Sequence, residues 1–458
     1  MRPLLLALAL LSSAAHAGPN PAAEAQALEL AKKAIAIRSV NVPGGRTADV
    51  AKLFQDALVA GGFAASDIEI VPVDNTAYMI ARWPGSDPKL KPLVISGHID
   101  VVEAKPSDWQ RDPFTPVVEN GYLFGRGASD MKSDAALAVA TLIDLKRTGY
   151  KPKRTIILEF SGDEETTMKT SSIIAERLKD AELVLNVDGG GGRFSADNKP
   201  QYMTWQGAEK TYADFELTVT NPGGHSSAPS PENAIAQLSA ALARIGAYRF
   251  KPELNDITRD SFVKAAGFER DAKTAAAMRA FAKNPADAQA IAVLQANPSY
   301  VGQIGTTCVP TMVNGGHALN ALPQKATANI NCRIFPGHSP ASILAELEKV
   351  AAEPAVKFAD VTEGSVPNDA SPLRPDLVKA VENALGKAWP GVPVFASQSS
   401  GASDSMWFRY HKVPSYGVSP LFSKDNDSFA HGLNERVQLV NFAPAIVYYR
   451  SLFTELSK

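Results

Sequence analysis

Leu93-Val94-Ile95-Ser96-Gly97-His98-Ile99-Asp100 reads as a buried strand that stops at a glycine and at once presents an imidazole and a carboxylate. Side chains two apart on an extended chain point the same way, so His98 and Asp100 are expected side by side while Ile99 turns back into the protein. A metal-ligating histidine with a carboxylate that fixes its tautomer has this arrangement. An ordinary hydrogen-bonded histidine has it too, so the rest of the chain must decide.

Three further stretches repeat the pattern. Gly121-Tyr122-Leu123-Phe124-Gly125-Arg126-Gly127-Ala128-Ser129-Asp130 is a glycine-punctuated turn that delivers Asp130 to the start of a helix predicted over 132–147. A carboxylate there serves as a simple helix cap, but the glycines around it also permit close approach to a bound group. The strand predicted over 154–160 runs into Asp163-Glu164-Glu165. Solvated charge runs are more usual on helices and tails than directly after a core strand. A divalent cation would turn the mutual repulsion of these carboxylates into attraction. The strand predicted over 183–187 is followed by Asp188. All four junctions place an acid or imidazole at the carboxyl edge of a βα unit, where open α/β sheets bind ligands. The alternation of strand and helix predicts an α/β fold with a mostly parallel sheet flanked by helices.

From about Gly207 the pattern changes. Residues 211–219 alternate like a half-exposed strand, and a helix (233–245), two strands (306–313 and 326–335) and a second helix (343–350) follow. This describes a smaller inserted α/β domain, an antiparallel sheet with two helices on one face. The predicted division is 1–17, 18–208, an inserted domain 209–363 with an alanine-rich helical insertion over 251–300, and a return to the first domain over 364–458.

A chain of 458 residues is too long for one simple core. Its formal net charge is -2, with Lys and Arg scattered among Asp and Glu, so no concentrated positive surface exists for nucleic acid. Arg2, the apolar run Leu4 to Leu11 and the small residues Ala15-His16-Ala17 read as a signal peptide cleaved near Ala17. Export to a periplasm or the medium is the expected destination. No stretch reaches about 18 uninterrupted apolar residues, so no membrane span is expected. Cys308 and Cys332 lie on two predicted strands and form either one disulfide or two buried thiols.

The ordered set Gly97-His98-Ile99-Asp100, Gly125-Arg126-Gly127 through Asp130-Met131-Lys132, Asp163-Glu164-Glu165, Asp188, Pro222-Gly223-Gly224-His225-Ser226, Asn314-Gly315-Gly316 with Asn320, Arg333, and His431-Gly432 with Asn434-Glu435 covers nearly the whole chain. In this the sequence resembles the two-zinc metallopeptidase family of glutamate carboxypeptidase, aminoacylase, bacterial dipeptidases and succinyl-diaminopimelate desuccinylase. The resemblance implies that Asp130 bridges two zinc ions, one completed by His98 and Asp188, the other by Glu165 and His431. Cobalt or manganese would suit the same mixed donors. It further implies that Asp100 orients His98 and that Glu164 is the general base. His225, from the inserted lid and dimerisation domain of a second subunit, would stabilise the oxyanion, which implies a homodimer. Arg333 and Asn320, with backbone near Gly401, would hold a substrate carboxylate, a task suited to the planar fork of arginine.

The implied function is an exported metal-dependent exopeptidase, a carboxypeptidase or dipeptidase acting on small peptides. An N-acyl-amino-acid amidohydrolase or deacetylase would use the same residues. A non-catalytic zinc or peptide-binding protein would need the ligands but not a spare base, and Glu164 is spare.

Overall fold

The computed structural model describes residues 20–458 apart from 426 and 428, so the signal-peptide reading of residues 1–17 lies outside the described residues. Eight strands form the large sheet, in the spatial order Ile68–Val73, Thr76–Trp83, Ile156–Ser161, Leu93–His98, Leu183–Phe194, Ser415–Ser423, Pro200–Glu209 and Val394–Ser399. Its centre is parallel: Ile156–Ser161, Leu93–His98, Leu183–Phe194 and Ser415–Ser423 run in one direction. Both faces of this centre are covered, which is why its strands are apolar at successive positions. Leu93 and Ile95 join the core formed with Lys132–Arg147 and Phe442–Leu456, whereas Val94 joins the core on the other face with Ile174 and Phe408.

The order of connection matters for function. From Leu93–His98 the chain passes to Ile156–Ser161 on one side and then to Leu183–Phe194 on the other. That reversal opens a crevice at the carboxyl ends of these strands. Gly97 packs closely there, since a Cβ would lie 2.7 Å from Met131 Cε and 3.2 Å from Val187 Cγ2.

Sequence periodicity predicts a strand that stops at Val187, but the strand continues to Phe194. Pairing with Leu93–His98 ends at Asn186, and the strand then turns to pair with Pro200–Glu209. Asp188 therefore sits inside a strand at the point where it changes partners. Two strands of this sheet escape a reading by periodicity. Pro200–Glu209 contains Gly207, and Ser415–Ser423 contains Gly417 and Pro420, which weaken any strand signal. Gly417 is required by its neighbour, because a Cβ would meet the Gly189 backbone at 2.7 Å.

Lys210 alone separates the large sheet from a four-stranded antiparallel one, ordered Thr307–Gly315, Lys325–Ile334, Thr211–Thr220 and Lys357–Asp360. Helices Ala234–Ala247 and Pro340–Ala351 pack on it through Leu238, Ala241, Ile343 and Leu347. Cys308 faces Cys332 in this register, and the two form a disulfide, which resolves the alternative left open by the sequence. The insertion is a set of four helices, Asp256–Ala265, Ala272–Lys283, Ala288–Gln295 and Pro298–Val301. Each begins after Asn255, Asp271, Asp287 or Asn297, whose side chain accepts a hydrogen bond from a backbone amide of the first turn. Phe262, Met278, Phe281 and Leu294 give these helices a core of their own. Among the described residues no helix is long and apolar enough to cross a membrane.

Candidate active site

Seven of the predicted residues, His98, Asp100, Asp130, Glu164, Glu165, Asp188 and His431, converge on the crevice at the switch point. His98 Nε2 lies 3.1 Å from one oxygen of Asp130 and 3.8 Å from Asp188. The other oxygen of Asp130 lies 3.3 Å from His431 Nε2, which is also 2.8 Å from Glu165. Donor atoms of His98, Asp130 and Glu165 fall within 4.8 Å of one another. Asp130 thus faces two different imidazoles through its two oxygens, one from the large sheet and one from the chain's last third.

Buried partners fix this geometry. Asp100 is fully buried, with Oδ1 3.4 Å from His98 Nδ1. Its two oxygens also accept from the amides of Glu164 and Glu165 at 3.2 and 3.1 Å. One carboxylate therefore orients the histidine and ties down the acidic turn. Asp163, next in that turn, accepts from the amides of Lys169 and Thr170 at 2.8 and 2.9 Å and so starts the helix Lys169–Arg177. The Asp188 amide donates to Asn186 Oδ1 at 2.8 Å.

The electrostatics follow from crowding these carboxylates. Burial first, and then the neighbouring acids, push Glu164 and Asp188 well above the usual carboxylate range, although His98 opposes this. Burial opposes a charged His98, but Asp188, Asp100 and Asp130 outweigh it and hold the ring protonated well above its ordinary range. His431, bonded to Asp130 and Glu165, is raised to about 10. Burial works against a charged Asp130 as well, yet His431 and His98 together hold it far below its ordinary value. Mixed imidazole and carboxylate donors at this spacing, with excess negative charge among them, fit divalent cations of the zinc class.

Four predicted residues are not brought into this cluster. His225 is exposed on a two-stranded ribbon with Ala321–Leu322, and its Nδ1 is 2.7 Å from Ser227 Oγ. Asn320 is exposed nearby, its carbonyl accepting from the Ser226 amide. Arg333 lies on the small sheet over the Tyr212 ring and donates to the Ser400 carbonyl at 3.4 Å. Gly401, on the same turn as Ser400, is exposed.

Sequence reasoning assigned no role to Glu435, which is fully buried and accepts from Arg126 Nη1, the amides of Gly127, Ser129 and Asp130, and the Ser129 hydroxyl at 2.7–3.1 Å. It clamps the glycine turn that carries Asp130 to the segment that carries His431. Asp404 was missed too. It accepts from Ser161 Oγ at 2.6 Å behind the acidic turn, and burial pushes it up to about 7. The signal for Glu435 was its place four residues after His431 in a polar stretch. Asp404 gave none beyond its small-residue neighbours.

Residues 94–455 match the model of peptidase family M20/M25/M40. The chain is 26% identical to a probable carboxypeptidase S-like 2 of Dictyostelium discoideum, over 83% of this chain and 74% of that one. It is 28% identical to the N-fatty-acyl-amino acid synthase/hydrolase PM20D1 of Mus musculus, over 78% of this chain and 73% of that one. In fold it is similar to the M20 family metallo-carboxypeptidase Sso-CP2 of Sulfolobus solfataricus, with a TM-score of 0.71 at 18% identity, covering 94% of this chain and 98% of that one. The chain belongs to peptidase family M20/M25/M40 and is a metallopeptidase, a hydrolase of peptide bonds.

Proposed function

We propose that this protein is an exported exopeptidase, a carboxypeptidase or dipeptidase, that cleaves the amide bond next to a residue with a free carboxylate. The observation that carries this reading is Asp130 facing His98 with one oxygen and His431 with the other, beside a Glu164 whose carboxylate enters none of the ion pairs among the described residues. Two divalent cations, held by His98, Asp130 and Asp188 and by Asp130, Glu165 and His431, would polarise the scissile carbonyl and acidify the attacking water.

The remaining steps belong to the chain. Glu164 takes a proton from the attacking water and passes it to the leaving nitrogen, work for which a carboxylate that burial holds above its usual range is suited. Asp100 keeps the His98 ring in one orientation and holds the backbone of Glu164 in reach. Arg333, Asn320 and the turn at Gly401 receive the substrate carboxylate, and His225 acts on the oxyanion of a second subunit in a homodimer formed through the unit 209–363. The exposed position of His225, away from the cluster of its own chain, supports a role in trans.

A second reading, hydrolysis of N-acyl amino acids, is favoured by the similarity to PM20D1. A panel of free dipeptides, N-blocked dipeptides and N-acyl amino acids separates the two. Peptidase activity predicts turnover of the first two classes, and cleavage of N-acyl amino acids alone would replace it with the second reading.

A further inference from the structure

Outside the carboxylate cluster, among the described residues, one buried cation has neither a carboxylate nor a backbone carbonyl as its partner. Lys210, the single residue linking the two sheets, is 0% exposed. Its ammonium has three donors, and its one side-chain partner is Thr307 Oγ1 at 3.1 Å. Lys132, equally buried, instead donates to the carbonyls of Ala34 and Ile37. Among the described residues no carboxylate pairs with Lys210, and the charge nearest to it in effect is another cation, Arg333. Burial, with a further push from Arg333, lowers Lys210 to about 7. Two adjacent positive groups without an acid between them are costly unless something anionic completes them.

Both groups line one cavity of about 550 Å³. Ser400 of the turn beside the large sheet also lines it, which sets the cavity next to the segment that leads to Asp404. Its other walls are largely apolar: Phe250 from the small sheet's side and Pro298, Val301 and Ile304 from the helical insertion. Such a volume holds a ligand of the size of an amino-acid derivative with room to spare. Gly302 keeps the space beside the ammonium open, since a Cβ there would sit 3.7 Å from Lys210 Nζ and 3.2 Å from Ser400 Oγ.

We propose that Lys210 is a specificity residue: with Arg333 it binds the substrate carboxylate in this cavity, and the apolar wall supplied by the insertion receives the side chain of the residue that bears it. The insertion thereby acquires a role, selection of a large apolar carboxyl-terminal residue. This rests on the reading that the substrate carries a free carboxylate beside the cleaved amide.

The test uses the mature chain with one N-blocked amino acid joined through its carbonyl to leucine, to glycine and to leucinamide, with steady-state kinetics for wild type, Lys210→Met and Lys210→Arg. In Lys210→Met, KM for the leucine substrate should rise about 10- to 100-fold, the loss expected for a charged hydrogen bond, with kcat within about threefold. Lys210→Arg should recover most of it, and wild type should prefer leucine to glycine and discriminate against leucinamide. An unchanged KM in Lys210→Met, or equal use of leucine and leucinamide by wild type, overturns the proposal while leaving the hydrolase reading intact. Failure of wild type to cleave any of these three substrates or any free dipeptide overturns the exopeptidase reading instead. Should Lys210→Met not fold, the melting temperature of wild type decides: free leucine should raise it and leucinamide should not, and equal effects refute the assignment.

Discussion

The carboxyl edge of the large sheet and the cavity beside the small sheet both gather buried charge, and they treat it in opposite ways. At the sheet edge the chain pairs its buried arginines with its own carboxylates. Glu435 collects five donors, Arg126 among them, and Arg409 lies 2.9 Å from Glu209. At the cavity Lys210 has one hydroxyl, and Arg333 has one carbonyl and the face of a tyrosine. The first region is organised before any substrate arrives, as a site must be whose reacting groups have to be held in place. The second leaves positive charge that an incoming anion would complete, which is how a binding surface discriminates without carrying the chemistry.

That contrast can be broken at its strongest point first. Glu164→Gln keeps the size and shape of the side chain but removes the base, so kcat should fall by about 10²- to 10⁴-fold while bound metal, measured by atomic absorption, stays at the wild-type level. A variant within threefold of wild-type turnover would remove Glu164 from the mechanism. Glu435→Ala should come next. It leaves the buried Arg126 unpaired, and the loss of stability in urea unfolding is expected at about 3–5 kcal/mol, with reduced metal content because Asp130 loses its clamp. A cost below about 1 kcal/mol would show that the turn holds Asp130 without it.

The smallest effect sharpens the other side. Lys210 has an ordinary value of 10.5, lowered to about 7 in the folded chain. The folded protein then binds fewer protons than the unfolded chain between those two values, so its stability penalty is full below about 7 and fades as pH rises toward 10.5. Lys210→Met should therefore be the more stable protein near pH 6, and its advantage in urea midpoint should shrink on going to pH 9. A constant difference across that range would mean that Lys210 is paired after all.

Much of the site was legible because it lies at strand ends. His98 and Asp100, two apart, do lie together as an extended chain requires, and the acidic run after Ile156–Ser161 does reach the crevice. The convergence of Asp188 and His431 on Asp130 came from the resemblance, since no local pattern carries a contact across some three hundred positions. Asp188 was placed at a strand end because its glycine neighbours read as a loop. The strand persists through them because Ser415–Ser423 and Pro200–Glu209 supply hydrogen bonds from elsewhere in the chain.

By itself, then, the sequence determined which segments become apolar strands and where their polar ends fall, because periodicity and glycine placement act within a few residues. Only the tertiary structure decided that Glu435 braces the Asp130 turn, that Cys308 bonds Cys332, and that Lys210 faces a cavity without an acid. Those outcomes depend on which distant segments meet, and the energy of a buried charge is set by its neighbours in space.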